Sequence, residues 1–102
     1  MSQPALIIHG GAGAREGSHT TYASYADSLR RILASAWQTL SVGDARQAVL
    51  TAVRALEDDP IFNAGLGSRL QRDGASRMSA ALMDGDNGSF SGVINIERVR
   101  HP

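Results

Sequence analysis

The segment that most constrains the fold runs from Asp58 to Ser68 and reads Asp-Asp-Pro-Ile-Phe-Asn-Ala-Gly-Leu-Gly-Ser. Two acids lead into a proline, which has a fixed φ and no backbone N–H, so a preceding helix has to end there. A Phe-Asn pair then enters a run of small and apolar residues around Gly65 and Gly67. Glycines let a backbone turn tightly and approach other atoms closely. The segment therefore predicts a sharp loop folded around something small, either an ion or a neighbouring reactive centre.

Length and composition suit one small domain with a modest core. The chain has 102 residues, of which 42% are hydrophobic and only 5% aromatic, so burial has to come from Ala, Val, Leu and Ile. Its formal net charge is zero and it has no basic run, so it lacks the long-range field that attracts nucleic acids or anionic membranes. We expect neither a nucleic acid nor a membrane as partner.

The N-terminal residues do not show the pattern of a targeting signal. No charged leader or apolar signal core opens the sequence, and its longest apolar run, Ala5–Ile8, is far shorter than the roughly 20 residues of a membrane span. We expect a soluble, cytoplasmic protein.

Several residue types that support catalysis are missing. Every basic residue is Arg, which excludes Schiff-base lysines, lysine general bases and the phosphate-loop lysine. The absence of Cys excludes disulfides and thiolate nucleophiles, and His9, His19 and His101 lack the pairing of a zinc site. No Gly-x-Ser-x-Gly elbow and no Gly-Thr junction occurs. If the protein is an enzyme, its attacking atom lies in a different stretch of polypeptide.

The first half of the chain predicts one strand and two helices. Ala5–Ile8 is typical of a central strand buried on both faces, and it leads into a glycine-rich loop. Apolar residues at helical spacing predict an amphipathic helix from Thr21 to about Leu40 that stops at Gly43. A second helix begins at Asp44, which is positioned to cap it with Gln47, and it ends before the proline of the loop.

The second half predicts a three-strand meander over Ser68–Arg72, Arg77–Met83 and Ser89–Ile96. The turns fall at Asp73-Gly74 and at the Asp- and Gly-rich stretch 84–88. The order strand, helix, helix, three strands indicates a layered α/β fold with helices on one face of the sheet. Because the sequence stops directly after the third strand, we interpret it as a fragment.

Two local features leave alternatives open. Glu57, Asp58 and Asp59 lie at a helix C-terminus, where the macrodipole disfavours negative charge, so either solvation or a compensating cation or buried Arg is expected. The glycines that follow the first strand, at positions 11, 13 and 17, suggest a dinucleotide-binding turn, but their spacing is one residue too long. A tight loop that needs glycine is the better interpretation.

Three segments together resemble the plant-type L-asparaginase and isoaspartyl peptidase family. They are Ile8–Gly13, Leu56–Ser68, and Asp73-Gly74 taken with Met78 and Leu82–Gly85. Their order and spacing match, and the resemblance covers nearly all of this chain but only the opening third of a family member. One departure is Met78-Ser79-Ala80, where the family usually has Met-Asp-Ala.

The resemblance implies an N-terminal-nucleophile hydrolase of αββα architecture, made as a precursor that cuts itself before a threonine. Residues 1–102 would be a single partial domain at the start of the α subunit. Its partners would be the remainder of that subunit, the β subunit, a second αβ pair in a homodimer, and a small amide substrate. In the family the freed threonine hydroxyl attacks the side-chain amide of asparagine or the isopeptide of a β-aspartyl dipeptide. The α-amine, with an ordinary pKa of about 7.7 to 8.0, acts as base.

The resemblance also assigns roles to residues of this chain. Asn63 would face the nucleophile and help place it, and His9, Gly10 and Gly11 would lie by the precursor cleavage point. No organic cofactor is expected, but a structural sodium ion is. Its ligands would be the backbone carbonyls of Leu56, Glu57, Asp59, Phe62, Ala64 and Leu66.

Three other functions remain open from the sequence. A glycosylasparaginase-type amidase would build its substrate pocket mainly from polypeptide outside this chain. A truncated, non-catalytic fragment or structural subunit would show no turnover. A small nucleotide-binding domain would depend on the glycine loop.

Overall fold

Two helices and one β-hairpin form the regular structure of residues 3–13 and 19–102, the part of the chain that this computed structural model describes. The elements are α1 (Tyr22–Val42), α2 (Ala45–Asp58), a 3-10 turn (Gly65–Gly67), β1 (Met78–Asp84) and β2 (Ser89–Ile96). The predicted mixture of helices and antiparallel strands is confirmed at this level. Gly17 of the glycine-rich loop lies outside the described residues.

Helix α1 begins and ends close to the predicted limits. Thr21 is its N-cap, and the Thr21 hydroxyl oxygen accepts a hydrogen bond from the Ser24 N–H at 3.2 Å. Ala36 is fully buried, whereas Trp37, from the same predicted apolar stripe, is 44% exposed. The predicted stripe is therefore wider than the face that α2 and the adjoining loops cover. Neither α1 nor α2 combines the length and the hydropathy that a bilayer-spanning helix requires.

Helix α2 carries the predicted capping box. Asp44 Oδ1 accepts the Gln47 N–H at 2.8 Å, and Gln47 Oε1 accepts the Asp44 N–H at 3.2 Å. These two bonds satisfy N–H groups that the first turn of a helix leaves without partners. Along the helix, Ala48 and Ala52 are buried, and their small side chains allow α1 and α2 to pack closely.

Removing this cap should cost measurable stability. We expect Asp44→Ala to lower the free energy of unfolding by about 1 kcal/mol, because the Gln47 N–H loses its acceptor. Urea titration followed by circular dichroism measures the change. Asp44→Ser is the matched control, since its hydroxyl still accepts a hydrogen bond. If the Ala and Ser variants unfold at the same urea concentration, the capping account is wrong.

The hydrophobic core lies between the two helices and the loop that follows α2. Its buried members are Ile32, Ala36, Ala52 and Phe62, and Phe62 is only 3% exposed although it belongs to the loop. The loop is thus anchored by an aromatic side chain inserted against both helices. This anchor fixes where the residues around Phe62 can lie.

The predicted central strand at Ala5–Ile8 is wrong for the described structure, which has no strand there. Leu6 and Ile8 pack against the core while Ile7 is 92% exposed, so the segment buries one face rather than two. A strand requires a neighbour with which to exchange backbone hydrogen bonds. Within residues 3–13 and 19–102 the paired strands are β1 and β2, which pair with each other and not with this segment.

Strands β1 and β2 pair antiparallel, with Leu82 opposite Ser91. The register shifts between Met78 and Ala80, on either side of Ser79. Ser79 Oγ accepts the Asn95 N–H there at 3.3 Å, and Asn95 has a φ of 54°. The hydroxyl of Ser79 therefore supplies an acceptor at the irregularity.

The predicted strand at Ser68–Arg72, the first of the meander, is also wrong. Its Gln71 N–H donates to the Ala75 carbonyl at 2.9 Å, and the Gln71 carbonyl accepts the Gly74 N–H at 2.9 Å. These bonds close a local turn, so the groups are not available for a ladder with β1.

Asp73 lies in this turn. Hydrogen bonds from the Ala75 N–H and, secondly, from the Arg77 guanidinium hold the pKa of the Asp73 carboxyl below its ordinary value.

Candidate functional site

A cleft of about 380 Å³ separates the glycine loop near the start of the chain from the loop that follows α2. Its walls include His9, Gly10, Gly11, Tyr25, Asn63 and Arg69. The two loops were singled out by separate motifs some fifty residues apart in the sequence. The fold places both on one concave surface, which is where small-molecule sites usually occur.

Asn63 lines this cleft and is exposed. Its Oδ1 atom accepts the Arg69 backbone N–H at 2.8 Å. Because the carbonyl end of the amide is held in this way, the Nδ2 end keeps its hydrogens for another acceptor. Asn63 is therefore a fixed hydrogen-bond donor at the edge of the cleft.

The loop after α2 is tightly curled by short-range hydrogen bonds. Asp59 Oδ1 accepts the Ile61 N–H at 3.2 Å, and the Asp59 carbonyl accepts the Phe62 N–H at 3.2 Å. Further along, the Gly67 N–H donates to the Ala64 carbonyl at 3.0 Å. These hydrogen bonds give the loop a defined shape.

Two glycines allow this loop to fold back on the end of α2. Gly65 has a φ of +49°, and a β-carbon there would collide with the backbone carbonyl oxygen of Glu57. A β-carbon at Gly67 would collide with the carbonyl oxygens of Pro60 and Phe62. The glycine requirement inferred from the sequence is confirmed, and its cause is close approach of backbone to backbone.

Two backbone carbonyls at the end of α2, those of Leu56 and Glu57, lack the N–H donor that a continuing helix would provide. The Leu56 carbonyl would ordinarily accept the N–H four residues later, but that residue is Pro60, which has none. The N–H that would serve the Glu57 carbonyl belongs to Ile61 and is directed to the Asp59 carboxylate. Carbonyl oxygens released from a helix end and gathered in a curled loop are the kind of ligands that such ions take.

The acids at the end of α2 are compensated by the last residues of the chain. His101 Nδ1 lies 3.2 Å from Glu57 Oε2, and the Glu57 side chain is only 7% exposed. His101 Nε2 and Arg100 Nε lie 3.4 and 2.9 Å from Asp58 Oδ1. Asp58 therefore has the Arg partner that the sequence left open, although that Arg is exposed rather than buried, and Glu57 has a histidine as its hydrogen-bond partner.

Sequence reasoning missed two residues of the cleft. Tyr25 was predicted only as part of the apolar stripe of α1, and Arg69 only as part of a strand. The signal for Tyr25 would have been a half-polar aromatic residue in the first turn of a helix directly after a glycine loop. Arg69 had no such signal, because the turn that places it depends on contacts outside its own segment.

A family model described as asparaginase matches residues 2–102. The chain belongs to the asparaginase family. The isoaspartyl peptidase/L-asparaginase of Synechocystis sp. is 49% identical over 97% of this asparaginase-family chain and 30% of its own length. The plant-type L-asparaginase of Thermococcus kodakarensis is 41% identical over 96% of the chain and 32% of its own length. The isoaspartyl peptidase of Salmonella typhimurium is 40% identical over the whole chain and 34% of its own length.

The family resemblance drawn from the three motif segments is thereby confirmed. This asparaginase-family chain spans about a third of the length of the curated relatives that it matches. Both cleft-forming loops fall within the matched residues.

Proposed function

We propose that residues 1–102 form the N-terminal part of an amidohydrolase that releases aspartate from L-asparagine and from β-aspartyl dipeptides. The observation that carries the proposal is the cleft on which Asn63 faces the His9–Gly11 loop in a chain of the asparaginase family. The names of the relatives, isoaspartyl peptidase and L-asparaginase, support this substrate class.

The nucleophile in this proposal comes from a different polypeptide segment, since the sequence contains no Gly-Thr junction. A threonine freed by self-cleavage attacks the side-chain carbonyl, and its α-amine takes the hydroxyl proton and passes it to the amide nitrogen. The C–N bond breaks, ammonia leaves from asparagine or an amino acid from a β-aspartyl dipeptide, and an acyl-enzyme remains. Water then releases aspartate. The active unit is a dimer of αβ pairs, and the fold completes the αββα sandwich.

Asn63 and the glycine loop contribute positioning and electrostatic stabilisation. The Nδ2 hydrogens of Asn63 donate to the threonine oxygen and hold it for attack, because the Arg69 N–H already orients the amide. His9, Gly10 and Gly11 line the same cleft as Asn63. In this proposal they lie beside the bond that the precursor cleaves.

The direct test uses the full-length protein that carries these residues. We expect intact-mass analysis to reveal two polypeptides, the second beginning with threonine, and the mixture to release aspartate from a β-aspartyl dipeptide and ammonia from asparagine. Residues 1–102 alone should do neither. A single species without turnover would establish the non-catalytic alternative, and preferential cleavage of N-acetylglucosaminyl-asparagine would establish the glycosylasparaginase alternative.

Sodium should stabilise the full-length protein if the curled loop binds it through its carbonyls. Replacing sodium by N-methylglucamine at constant ionic strength is expected to lower the melting temperature by about 5 °C, because an ion that binds only the folded state adds to its stability. Calorimetry measures the shift, with potassium as a second arm to test for size selectivity. Equal melting temperatures in all three salts would remove the ion from the proposal.

A further inference from the structure

The ring of Phe62 lies between the glycine loop and helix α1. A β-carbon at Gly10 would lie 2.7 Å from Phe62 Cε1, 3.1 Å from Phe62 Cδ1 and 3.3 Å from Leu29 Cδ2. On the α1 side, the rings of Phe62 and Tyr25 are 5.9 Å apart at an interplanar angle of 58°. This is a tilted arrangement in the favourable range for aromatic pairs. Phe62 is also 3% exposed, so its ring has little freedom to move.

Gly10 and Gly11 are glycines for different reasons. Gly11 has a φ of +111°, a conformation that other residues rarely adopt, and a β-carbon there would meet nothing within 4 Å. Gly10 lies outside that region of φ but has no room for a β-carbon, because the Phe62 ring occupies it. Position 10 therefore has to be glycine because the ring of Phe62 occupies the space of a β-carbon.

We infer that Gly10, Phe62 and Tyr25 form a positioning stack that sets the separation between the glycine loop and Asn63. Phe62 directly precedes Asn63, so the position of its ring determines where the Asn63 backbone can lie. Tyr25 belongs to α1, and its ring packs against the ring of Phe62. The inference rests on the proposed function, because the separation matters only if groups on both walls act on one substrate.

The first test is a suppressor experiment in the full-length protein. We expect Gly10→Ala to lower kcat about 100-fold with KM changed less than twofold, since small misplacements of reacting groups cost this much. Phe62→Leu removes the ring atoms that the new methyl group meets. The kcat of the double variant should therefore be at least tenfold higher than that of Gly10→Ala. Gly11→Ala is the matched control, and Phe62→Leu should not improve it. The stack is wrong if Phe62→Leu does not raise the kcat of Gly10→Ala, or if it raises the kcat of Gly10→Ala and Gly11→Ala equally.

The second test separates the Tyr25 ring from its hydroxyl. Tyr25→Ala should lower kcat about tenfold at nearly constant KM, and Tyr25→Phe should restore most of it, because the contact with Phe62 is between rings. A Tyr25→Phe variant as impaired as Tyr25→Ala would show that the hydroxyl acts instead, and the stack would be wrong.

Different results would disprove the stack and the proposed function. If the wild-type protein hydrolyses neither substrate, the proposed function is wrong, and the stack is then judged from melting temperatures. We expect the melting temperature of the Gly10→Ala, Phe62→Leu double variant to change by less than the sum of the changes in the two single variants, because the two residues are in direct contact. Additive shifts would overturn the stack.

Discussion

Gly67→Ala is expected to destabilise the protein by about 3 kcal/mol and to abolish amide hydrolysis. A β-carbon at this position would collide with the carbonyl oxygens of Pro60 and Phe62 and lie 2.8 Å from the Pro60 carbonyl carbon. These are backbone atoms in a loop held by its own hydrogen bonds, so they move only if the loop opens. The cost is at the upper end of that for inserting a methyl group into a packed site.

Chemical denaturation and the assay with a β-aspartyl dipeptide measure these two effects. The control is Gly85→Ala in the hairpin turn, where a β-carbon would meet nothing within 4 Å and φ lies outside the left-handed region. That variant should keep the stability of the wild type. If Gly67→Ala unfolds at the same denaturant concentration as Gly85→Ala, the loop does not have the close backbone contacts described above.

Asn63→Asp should lower kcat about 100-fold while leaving the stability nearly unchanged. An aspartate keeps an oxygen to accept the Arg69 N–H, which Asn63 Oδ1 accepts at 2.8 Å, but it has no N–H to donate into the cleft. Loss of one preorganised donor at a reacting oxygen typically costs 100-fold to 1,000-fold in kcat.

Asn63→Ala is the companion variant, since it removes both the donor and the acceptor. It should lose the same activity and, in addition, about 1 kcal/mol of stability, because the Arg69 N–H loses its partner. Steady-state kinetics and urea titration separate the two effects. An Asn63→Asp protein with unchanged kcat would show that the amide hydrogens take no part in the reaction.

The sequence by itself determined the two helices and the curled loop, because their formation depends on residues that are close together in the chain. The spacing of apolar positions predicted α1, the pair Asp44 and Gln47 predicted the start of α2, and Pro60 predicted its end. Each of these sequence patterns acts on residues within one or two helical turns. The residues that form the pattern therefore also determine where the helix begins and ends. The motif around Asn63 likewise predicted a curled loop, since glycine requirements are local.

The tertiary structure alone decided which of the predicted strands formed. Ala5–Ile8 and Ser68–Arg72 were both predicted to be strands, but a strand forms only when another chain segment pairs with its backbone groups. Ser68–Arg72 instead uses Asn63 and Ala75, which a pattern within the segment does not reveal.

The candidate site shows the same division between local and long-range information. The sequence marked the glycine loop and Asn63 separately, and the fold brought them to one cleft by inserting Phe62 between Gly10 and Tyr25. It also brought His101 to Glu57, two residues 44 positions apart. Contacts of this kind depend on the direction in which each loop returns, and that direction is set by packing of the whole core rather than by the residues of the loop.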